Sequence, residues 1–345
     1  MTFSESGPVP SVSVVVPLFN EAEGLPLFHA ELTNVLSSLS GRCTWKIIYV
    51  VDPSPDGTTE VVRQLADQDS RISGVFLLRR AGHQLSLLAG MRASDADAVI
   101  TMDGDLQHPP ELIPEILRLY ETGVDVVQTV RVSTDGQGSI ARGLSRGFYG
   151  LINRLSDVKM VAGGADYHLL SRRVVDILCN EIVERDVFMR GLIPWLGLPT
   201  ATIEFTARQR VAGESKYSIR RSLSLATSGI VSFSKLPLHL GIGLGLVVCV
   251  LAILTAVGAV VARLVGNDIP AGWATLIVVL TLLSGVQLLC LGLIGMYLSV
   301  IFDEAKKRPQ ILVAETVGTT HRNGGPANEW PARLATPDGD VPDRQ

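Results

Sequence analysis

Charge is scarce in this chain, and so is cysteine. Asp, Glu, Lys and Arg make up 19% of its 345 residues, against about a quarter in an average soluble domain. The balance is 34 acidic to 30 basic side chains, a net charge of −4. That excludes the basic surface that nucleic-acid binding requires. The four cysteines, Cys43, Cys179, Cys249 and Cys290, make no C-x-x-C pair. They imply neither a disulfide framework nor a zinc site, and they suit a reducing cytosol. The opening MTFSESGPVPSVS has no basic start and no apolar stretch, so it does not read as a secretory signal.

The shortage of charge is local. Residues 240–262 and 273–302 contain none at all, which accounts for a mean hydropathy of +0.32. At about 1.5 Å per residue each run is long enough to cross a hydrocarbon core of about 30 Å. The ten residues between them hold Gly266, Asn267, Asp268 and Pro270, so the pair reads as a transmembrane hairpin. Arg220, Arg221 and Lys235 precede it and Lys306, Lys307 and Arg308 follow it, whereas the connecting loop has only Arg263 opposed by Asp268. Positive charge stays on the cytoplasmic side, which puts both termini there in a cell (plasma or inner) membrane. Residues 218–238 begin basic and carry apolar residues roughly on one face, which suits an amphipathic juxtamembrane helix or a helix packed on the soluble domain. The expected division is therefore 1–217, a cytoplasmic domain; 218–238, the juxtamembrane helix; 239–302, the hairpin, with spans near 240–262 and 273–300; and 303–345, a cytoplasmic tail. The tail is rich in Gly, Pro, Asn, Asp and Arg after Val317 and reads as largely disordered.

The first 210 residues alternate short apolar runs with helical patterns. Strands are expected at 12–17, 45–51, 74–78, 98–102 and 125–129, and helices at 21–39, 58–69, 84–93 and 111–121. Such alternation implies an α/β domain with a parallel sheet covered on both faces. Ligands of such sheets bind at the carboxyl ends of the strands. Those positions hold Pro17, Asn20 and Glu21; Asp52, Ser54 and Asp56; Arg79, Gly82, His83 and Gln84; Asp103, Asp105, Gln107 and His108; and Arg131. Carboxylates recur at three strand ends.

Asp103-Gly104-Asp105 sets two carboxylates on a tight turn. Like charges that converge there need a hard cation between them or a shared proton. Mg2+ or Mn2+ suits oxygen ligands, and Gln107 can add a carbonyl oxygen to Asp105. Pro109-Pro110 then starts a helix.

With these segments in place, the chain resembles a family-2 inverting glycosyltransferase of the polyprenyl-phosphate type, the group of dolichol-phosphate mannose synthases and undecaprenyl-phosphate glucosyltransferases. The similar segments are VVVPLFNEAEGL, IIYVVDPSPDGT, MDGDLQHPPELI, GADYHLLSRRVVD, RDVFMRGL and RVAGESKYSIRRSLSLATSGIVSFS, in the family's order across about residues 12–235. The resemblance implies a GT-A (nucleotide-diphospho-sugar transferase, Rossmann-like) fold, a nucleotide-diphosphate sugar such as UDP-glucose or GDP-mannose, a divalent metal and a polyprenyl (undecaprenyl or dolichyl) phosphate acceptor. It implies that Pro17, Glu21 and Asp52 contact the nucleoside, that Asp103 lies near the ribose or sugar, and that Asp105 and Gln107 hold the metal. The second motif departs from the family pattern, because Val51 and Pro53 stand where an aspartate and a glycine are usual.

A phosphate monoester acceptor is largely ionised at neutral pH, its second pKa being about 6. It therefore needs orientation and charge balance more than a base. Arg131, Arg190, Arg208, Arg210 and Lys216 are the candidate cations. Arg210 and Lys216 flank the Gly213-Glu214-Ser215 loop just before the juxtamembrane segment. Asp166, after Gly163-Gly164-Ala165, suits a general base, a sugar-orienting group or a turn cap. His83 suits the donor phosphates or a helix cap shared with Gln84; Tyr167 and Trp195 read as packing residues. Asp105, Asp166 and Arg210 form the expected catalytic set, and the resemblance to related enzymes is compatible with a homotetramer. Two other readings are a polysaccharide synthase and a catalytically inactive membrane scaffold. The first usually carries Q-x-x-R-W and more membrane helices, and the intact D-G-D-L-Q and G-E-S-K-Y segments argue against the second.

Overall fold

A computed structural model of the chain describes residues 9–131, 164–182, 184, 187–206, part of 243–265, and 272–318. These fall into two compact units, one from residues 9–206 with 309–318, the other from residues 243–308.

The first unit is a layered α/β domain. Its elements are β1 (Ser11–Leu18), α1 (Leu25–Ser38), β2 (Thr44–Val51), α2 (Thr58–Gln68), β3 (Ile72–Leu77), α3 (His83–Ala93), β4 (Ala98–Thr101), α4 (Ile113–Tyr120), β5 (Val126–Arg131), β6 (Gly164–Ser171), α5 (Arg172–Asp176), α6 (Met189–Trp195) and β7 (Thr200–Phe205). The strands are rich in Val and Ile, which fit a pleated surface buried on both sides. Along β1 the alternation divides Val12, Val14, Val16 and Leu18 from Val15. The first set packs with Phe28, Leu32 and Leu36 of α1 and Ile113, Ile116 and Leu117 of α4. Val15 packs with Leu87, Leu88 and Met91 of α3, Val174 and Val175 of α5, and Leu192 and Ile193 of α6. Helices therefore cover both faces.

With β8 (Val313–Val317) the sheet has eight strands, in the order β7-β5-β6-β4-β1-β2-β3-β8. Strands β3, β2, β1 and β4 are mutually parallel, as expected. The expected all-parallel sheet is corrected on the other side. There β6 runs antiparallel to both β4 and β5, and β7 is parallel to β5. Reversal of β6 brings its first residues, including Asp166, to the edge where β4 and β5 end. All eight of its residues are buried, because the strand is flanked on both sides.

The tail expectation also needs correction. Val313–Val317 forms β8, which pairs antiparallel with β3 and adds an edge to the first unit. Arg63 reaches Glu315 at 2.7 Å, and Ser73 Oγ donates to the Gly318 carbonyl at 2.9 Å. Helix α1 begins four residues later than the pattern indicated. Asn20, with φ of 57°, and the residues after it are drawn into loop contacts instead.

The second unit contains α7 (Trp273–Ala305), 33 residues long. Its stretch Leu282–Ala305, with mean hydropathy 2.0, is the one described helix long and apolar enough to cross a membrane. Leu282, Leu288, Leu291, Leu298 and Ile301 are exposed. Such a surface is usual for lipid contact and unusual for water. The described residues between 243 and 261 are also helical. The juxtamembrane segment 218–238 lies outside the described residues.

Close packing of α3 rests on Gly90. A Cβ there would stand 2.3 Å from Val15 Cγ1 and 2.9 Å from Val50 Cγ2, so the helix lies directly on β1 and β2. Gly90→Ala should destabilise the full chain by about 1–3 kcal/mol through overpacking. Thermal or chemical unfolding checks this, and unchanged stability would show that α3 lifts freely from the sheet.

Candidate active site

Three loops at the carboxyl edge are bound together before any ligand arrives. The backbone N–H groups of Asn20, Glu21 and Ala22 donate to Ser54 Oγ (3.1 Å), Thr58 Oγ1 (3.0 Å) and Asp56 Oδ2 (2.9 Å). Asp56 Oδ1 also accepts from the Thr58 N–H and hydroxyl, which caps α2. The β1–α1 loop that carries Glu21 is thus fixed by side chains of the β2–α2 loop. Pro17 is the next-to-last residue of β1 and is half-buried.

Asp52, at the end of β2, is buried and faces the loop before α3. Its Oδ1 accepts from Ala81 N (3.0 Å) and Oδ2 from Gly82 N (3.1 Å). Gly82 has φ of 88°, a backbone conformation that suits glycine. The carboxylate therefore positions the start of α3.

The Asp103–Gln107 loop is built differently. Gly104 is required by close approach, since a Cβ would meet Leu18 Cδ2 at 2.8 Å. The left-handed turn residue is Leu106, with φ of 62° and a buried side chain. Asp105 Oδ1 accepts from Gln107 N at 3.1 Å and closes the turn. Below it, His108 Nδ1 accepts from Asp103 N at 2.9 Å. His108 stacks on Tyr167 with centroids 5.2 Å apart, and Phe205 meets both rings edge-on. Tyr167 Oη donates to the Pro109 carbonyl at 3.1 Å. Tyr167 is a packing residue, as expected, and it holds the acidic loop against β6.

The centre of the edge is Asp166, 6% exposed. Arg190 of α6 clamps it with two bonds of 2.9 Å, Nε to Oδ1 and the terminal nitrogen to Oδ2. Gln84 Nε2 donates to Oδ2 at 3.2 Å, while Gln84 Oε1 accepts from Met189 N at the start of α6. His83 Nε2 lies 3.3 Å from Asp166 Oδ2 and 3.5 Å from Asp103 Oδ1. Burial alone would raise the Asp166 pKa, but His83 and Arg190 outweigh it and hold the carboxyl well below the usual range. Desolvation would lower the His83 pKa, yet Asp166 and Asp103 leave it raised. So depressed a carboxyl is a poor proton acceptor near neutral pH. Of the roles open to Asp166, orientation fits this geometry better than base catalysis.

The structure thus unites Asp103, Asp166 and Arg190 among the expected site residues. His83 and Gln84, named at the third strand end but outside the expected catalytic and binding sets, complete the cluster. Their signal was their place directly after the third strand. Arg131 closes β5 on the same edge, and its Nε is buried with no hydrogen-bond partner among the described residues. Arg208, Arg210 and Lys216 lie outside the described residues.

No group of three or more His, Cys, Asp or Glu side chains surrounds a metal position among the described residues. Asp105 with Gln107 is a sparse oxygen set. It fits Mg2+ or Mn2+ of the kind held by one or two carboxylates together with substrate phosphates.

The acidic carboxyl edge of this Rossmann-like sheet is the position at which open α/β sheets take their ligands. Residues 13–178 match Glycosyl transferase family 2. The chain is 32% identical over 310 residues to the Bacillus subtilis (strain 168) glycosyltransferase YkcC, covering 90% of this chain and 95% of the relative. It is 31% identical to the prophage bactoprenol glucosyl transferase homolog of Escherichia coli (strain K12), covering 88% and 98%, and 33% identical to the bactoprenol glucosyl transferase of Shigella phage SfV, covering 88% and 97%. Among solved structures, glucosyl-3-phosphoglycerate synthase from Mycobacterium tuberculosis is a distant likeness at 17% identity and TM-score 0.43, over 64% of this chain and 76% of that one. This chain belongs to glycosyl transferase family 2, and it is a glycosyltransferase.

Linkage gives the site a stability signature. A carboxyl depressed on folding adds stability above its unfolded value of about 3.9, and that stability is lost as pH falls through the folded value. Below about pH 4 the unfolding free energy should fall more steeply in the wild type than in Asp166→Asn. Parallel acid limbs would contradict the assignment of Asp166 as a buried, compensated anion.

Proposed function

We propose that the chain moves a hexose, glucose in the first instance, from a nucleotide-diphosphate sugar to a polyprenyl phosphate at the cytoplasmic face of the membrane, with inversion. The observation that carries this reading is the cation-bearing Asp166–Arg190 clamp at the strand edge of a chain that continues into an apolar helix. The named bactoprenol transferases support it. Their similarity extends over 302 residues, more than the first unit alone can supply, so it runs on into the second unit.

In this reading an oxygen of the lipid phosphate attacks the anomeric carbon from the face opposite the nucleotide. The bond from that carbon to the diphosphate oxygen breaks, and the leaving nucleoside diphosphate keeps the electron pair. The nucleophile is already ionised at neutral pH, so no proton has to be removed. Arg190, held flat by Asp166, offers a guanidinium of the geometry that binds phosphate. Arg131, Arg210 and Lys216 supply further positive charge, and Asp103 faces the sugar side. A Mg2+ or Mn2+ ion held by Asp105 and Gln107 would neutralise charge on the diphosphate. Pro17 and Glu21 line the nucleoside side, and Asp52 shapes that side through the loop before α3.

The spans near 240–262 and 273–300 hold the catalytic domain at the headgroups. Arg220, Arg221, Lys306, Lys307 and Arg308 keep the flanks cytoplasmic.

Membranes carrying the chain, incubated with radiolabelled UDP-glucose or GDP-mannose and undecaprenyl phosphate, should transfer label to the lipid phase from UDP-glucose. Label from GDP-mannose alone would change the sugar, and no lipid label from any donor would reject the acceptor. Asp105→Ala should abolish transfer while the protein stays folded in the membrane. Full activity in that variant would remove Asp105 from the metal site.

A further inference from the structure

His83 is the first residue of α3, and its ring leaves its own helix. Gly82 is the N-cap residue, and no side chain caps the helix. The imidazole reaches across the edge to two other elements, Asp103 after β4 and Asp166 in β6. Both carboxylates meet at one nitrogen, Nε2. Two carboxylates drawn this close repel unless positive charge lies between them. Arg190 meets Asp166 by two parallel bonds. Among the described residues, the cationic neighbours of Asp103 are His83 and His108. The His108 Nδ1 already accepts from the Asp103 N–H, so it presents a lone pair on that side.

We propose that His83 is a positioning residue for sugar transfer: as an imidazolium it bridges Asp103 and Asp166, and so fixes the separation between the acidic D-G-D loop and the Arg190 guanidinium. The bridge is preset from below. Asp52 holds Ala81 and Gly82, which aims the first turn of α3. Gln84 then binds Asp166 and the start of α6, so two consecutive residues of one helix grip the same carboxylate. The charged groups around the ring are Asp103 from the end of β4, Asp166 from β6 and Arg190 from α6, with Asp52 of β2 behind the preceding N–H groups. The two facing carboxylates outweigh the single guanidinium, and the ring's affinity for a proton is raised accordingly. The bridge is therefore present at lower pH and is lost as pH rises through the raised value of His83.

This inference rests on the reading of the chain as a sugar transferase, and its test separates the two. In the full chain in membranes, His83→Gln should lower kcat about a hundredfold, the loss that a misplacement near 1 Å produces. KM for the nucleotide sugar should change far less. His83→Lys should recover part of the rate, and its activity should no longer fall on the alkaline side where the wild type declines, since lysine stays charged to about pH 10. A cap or packing role would give similar losses for Gln and Lys and leave the pH profile unchanged. Wild-type kcat in His83→Gln, or Lys no better than Gln, would overturn the proposal. A second readout needs no turnover: the His83 ring, followed by NMR in the full chain without substrate, should titrate above the ordinary histidine range in the wild type and lower in Asp166→Asn. A wild-type ring titrating in the ordinary range would also overturn the bridge. A raised titration in a chain that transfers no sugar would uphold the bridge and reject the functional reading.

Discussion

The carboxyl edge of this sheet is organised around one buried anion, Asp166. A carboxylate that is 6% exposed cannot remain charged unless its neighbours compensate it. Arg190, Gln84 and His83 do so from two helices, and each is held in turn by something else. Gln84 accepts from the start of α6, and the start of α3 hangs from Asp52. Removing the anion would therefore release two helix starts and the bridge to Asp103 together. Coupling of this kind makes a polar network all-or-none, because each donor left unpaired carries its own desolvation cost.

Much of this fold could be read from the chain, for identifiable reasons. The four strands β1 to β4 lie within two residues of their expected ends, because each is a Val- or Ile-rich run closed by turn residues. The direction of β6 could not be read, because it depends on pairing with β4 and β5. Strand β8 was missed for a related reason: a 33-residue apolar helix separates it from the rest of its domain. The strand-end rule selected Asp103, Asp105 and Arg131 from local pattern. It could not separate Asp52, which organises a loop, from Asp103, which faces the open edge. That distinction rests on where the backbone of residues 81–82 comes to lie. The Asp166–Arg190 clamp joins residues from a strand and a later helix, and nothing in their spacing announces it.

The chemistry that emerges is one of arrangement. Acidic side chains are abundant at the edge, yet most of their oxygens already bind N–H groups. Positive charge is supplied by Arg190 and His83 at the centre and by Arg131 at the flank. Such a site suits a reaction between two phosphate-bearing partners, in which repulsion and misorientation are the main obstacles. The proposed lipid phosphate needs no base, and the depressed carboxyl of Asp166 is no base. These two facts agree without adjustment. The second unit adds α7, a helix long and apolar enough to cross a membrane.

The central claim is that sugar transfer proceeds without proton abstraction from the acceptor. The most direct measurement is the single-turnover rate of transfer to polyprenyl phosphate in light and heavy water, at matched positions on the pH profile. The two rates should coincide, because no proton moves in the bond-making step. A clearly slower rate in heavy water would place a proton transfer in the transition state and contradict the claim.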